Sequence, residues 1–444
     1  MAPNPRRDES WVDGVLGLAP RFPGGLGRWV ARRAAARGLG APALRAASDD
    51  PVVLSLLGLP KMALRAPGES PAQRVARIVA TAEIGATDQA RTLYGASPRL
   101  SAKERRLLAS RAAPFDPLWA YSLLPGEDHV DRAACALAGG DLESAERLIR
   151  LARPSRQAFY LAGAIAARRG DWRGARGALN QGFASDGLAS PLHPDVDRPT
   201  TLCAFAEARV PGVVEGPLIS VVMAARDAAA TIGLSVGSLT AQTWRNIELL
   251  IVDDNSDDAT PTLARRLADR DSRIKVLSNR EKPGAYGARN TGVRAARGVF
   301  IALHDADDWA HPQRLERQVR ALGRDKGLTL CRHFRVDGAG HPLSPRVFPF
   351  IRLSPITALA RSEAMRATGP FEEVVVGADS EWLARFDARF GRRAAPRTSE
   401  VGIVASWARG SLSNSAATGF AGEGLDLRLA YVEDWRRRHA GVDP

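Results

Sequence analysis

Three apolar runs in the second half of the chain each lead into acid. "LISVVMA" (Leu218–Ala224) leads to Asp227, "IELLIV" (Ile247–Val252) to Asp253 and Asp254, and "VFIAL" (Val299–Leu303) to Asp305, Asp307 and Asp308. An unbroken apolar run is what a strand needs when both of its faces are dry, because successive side chains point to opposite sides. Helical spacing intervenes at "AATIGLSVGSLTAQ" (Ala229–Gln242), at Thr262–Arg270 and at "GARNTGVRAARG" (Gly287–Gly298), with a further short strand, "RIKVL", from Arg273. Strand and helix units in this succession predict an α/β fold with an open, mostly parallel sheet and helices on both faces. Ligands of such sheets bind at the carboxyl ends of the strands, where the chain order reverses. The acids are far apart in sequence, and that topology gathers them at one edge.

Carboxylates crowded at an edge repel unless a cation or a set of donors neutralises them. Oxygen ligands with few histidines and no cysteine nearby favour Mg2+ or Mn2+ over zinc, and such ions are often held by one or two carboxylates plus substrate phosphates. The pattern suits a nucleotide diphosphate bridged by a divalent metal. An isolated Asp-x-Asp arises by chance in exposed loops; its position directly after "VFIAL" is what gives it weight.

The first half has a different texture. Before about residue 210, Ala, Leu and Arg recur at helical spacing, and the Pro- and Gly-rich "VPGVVEGPL" from Val210 reads as a linker. "ALAGGDLESAERLI" (Ala136–Ile149) is echoed by "AARRGDWRGARGAL" (Ala166–Leu179), with Asp141 and Asp171 standing 30 residues apart in matching Gly-Asp turns. The echo resembles helix-turn-helix repeats of the tetratricopeptide class, whose period is about 34 residues. We therefore divide the chain into a basic segment over 1–50, an α-helical, repeat-like domain over 51–210, the α/β domain over 217–415 and a helical tail over 416–444. The helical domain is the expected place for a protein partner or self-association.

Composition sets further bounds. With 444 residues, 45% hydrophobic and 25% charged, the chain can bury more than one core. No run approaches the ~18–20 apolar residues of a membrane span, and no secretory leader is read at the amino terminus, so a cytoplasmic protein is expected. Cys135, Cys203 and Cys331 are scattered and give neither a disulfide framework nor a zinc pattern; they read as ordinary buried thiols. The net charge of +13 comes from arginines spread through alanine-rich helices, and no nucleic-acid partner is expected. Arg21–Arg45, with six arginines and no acid, is a local exception. It could rest peripherally on the inner, cytoplasmic membrane surface, or it could be a solvated helix face.

"PLISVVMAARDAAATIGLSVGSLTAQTWRNIELLIVDDNSDDAT" followed by "GAYGARNTGVRAARGVFIALHDADDWAHPQRLERQV" resembles the donor-binding half of family 2 glycosyltransferases, which have the GT-A fold. The resemblance implies an inverting, metal-dependent transfer of a sugar from a nucleotide sugar, a UDP-sugar above all, to a carbohydrate or lipid-linked acceptor in cell-surface polysaccharide or glycoconjugate synthesis. It implies that Asp254 receives the nucleotide base, that Ala225, Arg226 and Asp227 line the same pocket, that Asp305 lies near the ribose, and that Asp307, with Asp305, holds Mn2+ or Mg2+. Asp308 is expected to hold the turn or reach the metal through water. Arg289 of "GARN" is expected either to face the donor or to lock its helix to the acidic edge. The base that takes the acceptor proton corresponds to Asp379 in "FEEVVVGADSEWLARF", where relatives commonly have Glu-Asp and this chain has Ala378 and Asp379. Glu381 is read as a helix cap in preference to an acceptor contact. "WARGSLSN" (Trp407–Asn414) resembles the family's closing segment without its histidine, leaving Arg409 to meet the diphosphate or the solvent. His304 is read as a local hydrogen-bonding group, His311 as a helix starter, and Trp309 and Trp382 as buried. The departures at Ala378 and in the closing segment keep open the alternative of a helical-repeat binding protein with a non-catalytic transferase domain.

Overall fold

In the computed structural model, which describes residues 25–36, 40–97, 99–206, 208, 210–408 and 410–442, the apolar runs are strands. They are β1 (Ile219–Ala225), β2 (Ile247–Asp253), β3 (Ile274–Ser278) and β4 (Phe300–Asp305), all parallel, in the order β3-β2-β1-β4. The strand order reverses beside β1, as expected. The register sets Ala225 opposite Asp253 and Ala224 opposite Asp305, so two acids flank the end of β1. The sheet then turns mixed. β5 (Trp309–Ala310), β6 (Leu328–Asp337), β7 (Pro342–Leu343), β8 (Arg352–Leu353), β9 (Leu359–Arg361) and β10 (Arg397–Trp407) follow in sequence. The three-residue β9 runs antiparallel between β4 and β6, β10 lies parallel to β6, and β5 pairs antiparallel with β10.

Alternation along the strands divides the core. Ile219, Val221 and Met223 pack with Leu249, Ile251, Val236 and Leu239 on one face, and Val222, Leu250, Ile301 and Leu303 pack with Tyr286, Trp382 and Phe386 on the other. The Ala285–Ala295 helix lies directly on β1 because residue 292 is glycine: a Cβ there would sit 2.3 Å from Val222 Cγ1.

The contacts do not divide near residue 210. One compact unit comprises 142–344 and 349–409, and the other 1–141, 345–348 and 410–444. The Arg156–Arg168 and Trp172–Ser185 helices belong to the sheet's unit because their aromatic residues cover its mixed half. Tyr160 stacks against Phe334 of β6 with centroids 5.3 Å apart, and Phe183 lies on His311 at 5.4 Å. Asp186, just after this hairpin, accepts from the Tyr160 hydroxyl at 3.2 Å, from Val401 N of β10 at 2.9 Å and from Arg156. Helical periodicity shows that a helix forms, and says nothing about which surface its apolar face will cover.

The other unit is helical. Its core is built from Leu44, Val53, Leu54, Leu59 and Ala63 with Ala440, and Glu433 of the Gly422–Ala440 helix accepts from Lys61 N at 2.8 Å and Met62 N at 3.1 Å. The expected tail is thus part of this unit's packing. The sequence echo corresponds to a repeated turn: Gly140 (φ 82°) and Gly170 (φ 78°) are left-handed, and Asp141 N and Asp171 N return to Ala136 O and Ala166 O at 2.9 and 3.0 Å. Within the basic segment Arg21 and Arg37 lie outside the described residues, while Arg28 and Arg32 pair with Asp49 and Asp50 at 3.3 and 2.9 Å. Cys135 and Cys331 are buried as expected; Cys203 is exposed. No helix among the described residues is long and apolar enough to cross a membrane.

Replacing Asp186 strips three donors of their acceptor at a largely buried site. Asp186→Ala is expected to cost about 3 kcal/mol by chemical denaturation, within the range for breaking a buried charged network.

Candidate functional site

The carboxyl edge of the parallel strands carries Asp305, Asp307 and Asp308, which each offer a carboxylate oxygen within 4.8 Å of the others. Donors do not balance this charge evenly. Arg289 reaches Asp305 with Nη2 at 2.8 Å, and Ser406 N of β10 donates to Asp308 Oδ1 at 3.0 Å. Asp308 is therefore the turn-holding member: it is buried, and its desolvation and its acidic neighbours push its pKa well up. Asp307 has its pKa raised to about 6 by burial and by Asp305, with Arg335 and Arg289 opposing. Burial in a shared acidic group is the condition that a hard divalent cation relieves, and the all-oxygen donor set fits Mg2+ or Mn2+.

Arg335 is a contributor that no pattern in the sequence signals. It stands on β6, donates to Ser406 O at 2.8 Å and lies over the Trp407 ring at 5.3 Å. Its attraction lowers the proton affinity of both Asp307 and Asp308.

Asp254 follows β2 and is nearly inaccessible, at 2% exposure. Asn279 Nδ2 donates to its Oδ1 at 2.7 Å and Gly284 N to its Oδ2 at 2.8 Å, so this carboxylate fixes the start of the Ala285–Ala295 helix. Arg226 is half-exposed, with its guanidinium 3.9 Å from Asp254 and 3.7 Å from Asp227. Asp227 adopts φ 47° and accepts from Asp257 N at 2.9 Å, tying the β1 loop to the β2 loop, while Ala225 is buried and its carbonyl accepts from Asp254 N at 2.9 Å. The predicted pocket-lining residues do meet.

Two side chains one turn apart on the Ala285–Ala295 helix connect the acidic edge to Asp379. Arg289 takes Asp305, and Tyr286 donates its hydroxyl to Asp379 Oδ1 at 3.1 Å while accepting from Gly377 N at 3.0 Å. Arg289 lies over the Tyr286 ring at 5.1 Å, and its buried Nε has no hydrogen-bond partner. Arg289 thus makes the ion pair that locks its helix to the acidic edge. Tyr286 escaped the sequence reading, although its spacing of three from Arg289 in "AYGARN" puts both on one helix face.

Residues 220–388 match the family model described as glycosyl transferase family 2. This stretch is a family 2 glycosyltransferase domain. Among curated relatives, the chain is 33% identical over 181 residues to the succinoglycan biosynthesis protein ExoO of Rhizobium meliloti, covering 41% of this chain and 47% of that one. It is 44% identical over 105 residues to the Escherichia coli UDP-Glc:alpha-D-GlcNAc-diphosphoundecaprenol beta-1,3-glucosyltransferase WfgD, covering 24% and 41%. The chain spans less than half the length of these relatives. Among solved structures, S. aureus TarS 1-349 in complex with UDP-GlcNAc aligns with 18% identity and a TM-score of 0.38, over 50% of this chain and 70% of that one.

Within the glycosyltransferase domain, Asp379 opens the Ala378–Phe390 helix after Gly377, whose φ of 89° lets the chain turn in. Ala378 is fully buried in the apolar cluster with Trp382 and Phe371. Glu381 neither caps the helix nor opens to an acceptor: it is buried and forked by Arg385 at 2.7 and 2.9 Å, and Arg385 also donates to Thr368 O and Pro370 O. Trp309 and Trp382 are buried as read from the sequence. His304 donates Nε2–H to Asp308 O and accepts at Nδ1 from Arg314, which with burial lowers its pKa to about 3 and keeps it neutral. His311 accepts at Nδ1 from Gln313 N, ahead of the Arg314–Leu322 helix. Arg409 lies outside the described residues.

The raised pKa of Asp307 has a thermodynamic consequence with a definite sign. Between its unfolded value near 3.8 and about 6, the native state binds more protons, so stability falls as pH rises through that window. In metal-free buffer Asp307→Asn is expected to melt above the wild type at pH 7, by on the order of 1 kcal/mol, and to lose that advantage near pH 4. Melting curves across pH 4–8 in chelator test this.

Proposed function

We propose that the glycosyltransferase domain is catalytic and inverting, transferring a sugar from a nucleotide diphosphate donor to a carbohydrate or lipid-linked hydroxyl. The observation that carries this reading is the joining of the acidic edge and Asp379 through Arg289 and Tyr286 of one buried helix. An inverting transfer needs one carboxylate to receive the acceptor proton on the face opposite the leaving group, and a separate site of charge for the diphosphate. A degenerate domain would have no reason to keep both.

In this reading the acceptor hydroxyl attacks the anomeric carbon, the carbon–oxygen bond to the diphosphate breaks, and Asp379 takes the proton. Tyr286, its hydroxyl fixed by Gly377 N, holds Asp379 in one orientation, which supplies the positioning that a glutamate at 378 would give in relatives. Asp307 and Asp305 would hold a divalent ion, Mn2+ or Mg2+, which when bound would supply charge neutralisation for the departing diphosphate. Asp254 with Ala225, Arg226 and Asp227 forms the nucleotide end of the pocket. A UDP-sugar donor and a polysaccharide or lipid-linked acceptor are supported by the likeness to WfgD, a UDP-Glc:alpha-D-GlcNAc-diphosphoundecaprenol glucosyltransferase, and to ExoO, a succinoglycan biosynthesis protein. Such an acceptor would be met at the cytoplasmic face of a membrane.

Release of nucleoside diphosphate from UDP-, GDP- and dTDP-sugars with Mn2+ tests the proposal. One donor is expected to turn over, with activity abolished in Asp307→Ala and reduced about 10²–10⁴-fold in Asp379→Asn, the usual range for a general base. No turnover and no metal-dependent donor binding would overturn it.

Tyr286→Phe, which keeps the ring under Arg289, separates holding from catalysis. It is expected to lower kcat about tenfold with donor KM unchanged. A rise in KM alone would assign Tyr286 to donor binding instead.

A further inference from the structure

Strand β6 carries a histidine at the height of the acidic edge. Leu359 of β9 pairs with Ala302 of β4 on one side and with Thr329 of β6 on the other. Both strands run the same way past β9, so Asp305, three residues beyond Ala302, is level with Arg332, three beyond Thr329, and His333 stands one residue higher. Two strand spacings, about 10 Å, separate β4 from β6. The sheet order β3-β2-β1-β4-β9-β6 puts Ala225 and Asp254, at the ends of β1 and β2, on the other side of Asp305. In a transfer whose nucleotide lies over β1 and β2 and whose diphosphate lies at Asp305 and Asp307, the moving sugar and its acceptor extend toward β9 and β6.

One bond fixes the chemistry of the His333 ring. Its Nδ1 lies 3.0 Å from Arg352 O of β8, the residue directly opposite in the antiparallel register. A carbonyl oxygen can only accept, so Nδ1 carries the proton and Nε2 a lone pair. Burial, with repulsion from Arg335 and Arg352 added, brings the pKa of the ring down to about 3, and the ring stays neutral. Nδ1 completes what the ring does for the fold. Nε2 makes no hydrogen bond among the described residues, and with His333 only half-buried this acceptor stays open. Arg335, two residues on, stands on the same face of β6. It donates to Ser406 O, and Ser406 N donates to Asp308 Oδ1, so bonds join the face that bears His333 to the acidic turn. An open, neutral acceptor held in one direction suits a hydroxyl O–H, the group that a saccharide presents in numbers. Arg335 and the facing Arg352 disfavour an ammonium or a metal ion at the same place.

We propose that His333 is an acceptor-binding residue of the transfer, its Nε2 accepting from a hydroxyl of the saccharide that receives the sugar. The inference rests on the catalytic reading given above and adds to it the side of the sheet from which the acceptor enters.

The test uses the full chain with Mn2+ and the nucleotide sugar that turns over in the diphosphate-release assay, alone and with a panel of acceptors. The panel holds methyl glycosides of glucose, galactose, mannose and N-acetylglucosamine, and an N-acetylglucosamine linked through diphosphate to an alkyl chain. One of these is expected to accelerate release saturably in the wild type. His333→Phe is expected to raise KM for that saccharide about three- to tenfold, the weight of one neutral hydrogen bond. Donor KM and acceptor-free hydrolysis are expected to stay as in the wild type. His333→Gln, whose amide oxygen can stand in for Nε2, is expected to recover most of the loss. A purely structural ring would lower melting temperature and acceptor-free hydrolysis together in both variants, which would overturn the inference. An unchanged acceptor KM in His333→Phe, or acceptor-free hydrolysis that no member of the panel accelerates, would overturn it as well. Absence of donor hydrolysis in the wild type is a separate failure, which overturns the catalytic reading and this inference with it.

Discussion

The ion pair between Arg289 and Asp305 is the interaction on which the carboxyl edge depends. It brings a buried guanidinium from the helix layer against a strand end where three carboxylates converge. The pair forms because the Ala285–Ala295 helix can lie directly on β1, and it can do so because Gly292 has no side chain to meet Val222. Asp254 sets the position of the helix along its axis by accepting from Gly284 N. A backbone constraint, a packing constraint and a charge constraint thus all bear on one helix. Tyr286 gains its place at Asp379 from the same geometry.

Much of this was legible in the residues. Apolar runs ending in acid gave the parallel strands and their functional edge, since a strand buried on both faces leaves a composition that is hard to mistake. The meeting of Asp254, Asp227 and Asp305 at neighbouring strand ends follows from topology alone. The mixed half of the sheet was not legible, because β9 is three residues long and β5 and β8 two, too short for any alternation to register. Nor was the place of the Arg156–Ser185 hairpin. Its periodicity is the same whether it packs on other helices or, as Tyr160 and Phe183 do, on strands β5 and β6.

Single side chains divide along similar lines. Asp379 stood out because a resemblance placed it; Arg335 did not, because it reaches Asp307 and Asp308 through space from a strand with no motif. Glu381 was misread as a cap for a related reason. A glutamate in the first helical turn ordinarily caps or faces solvent, yet here Arg385 one turn later holds it in the interior and uses it to fasten the Thr368–Pro370 turn. The spacing of four between Glu381 and Arg385 fits an ion pair on one helix face, and only the tertiary fold decided that Glu381 is buried.

Folding leaves charge unbalanced at the sheet edge. At the sheet edge, Asp307 keeps an unbalanced carboxylate although Arg289 and Arg335 are near, because each of those arginines is already engaged, one by Asp305 and the other by Ser406 O. A protein that needed only to fold could have relieved this imbalance with one neutral side chain, since replacing a buried charge by a well-packed apolar group is often neutral or stabilising. Retaining charge where it costs stability is the physical mark of a site whose missing counter-charge arrives from outside the chain. In the function proposed for the domain, that counter-charge at the sheet edge is a divalent cation with the phosphates of the donor.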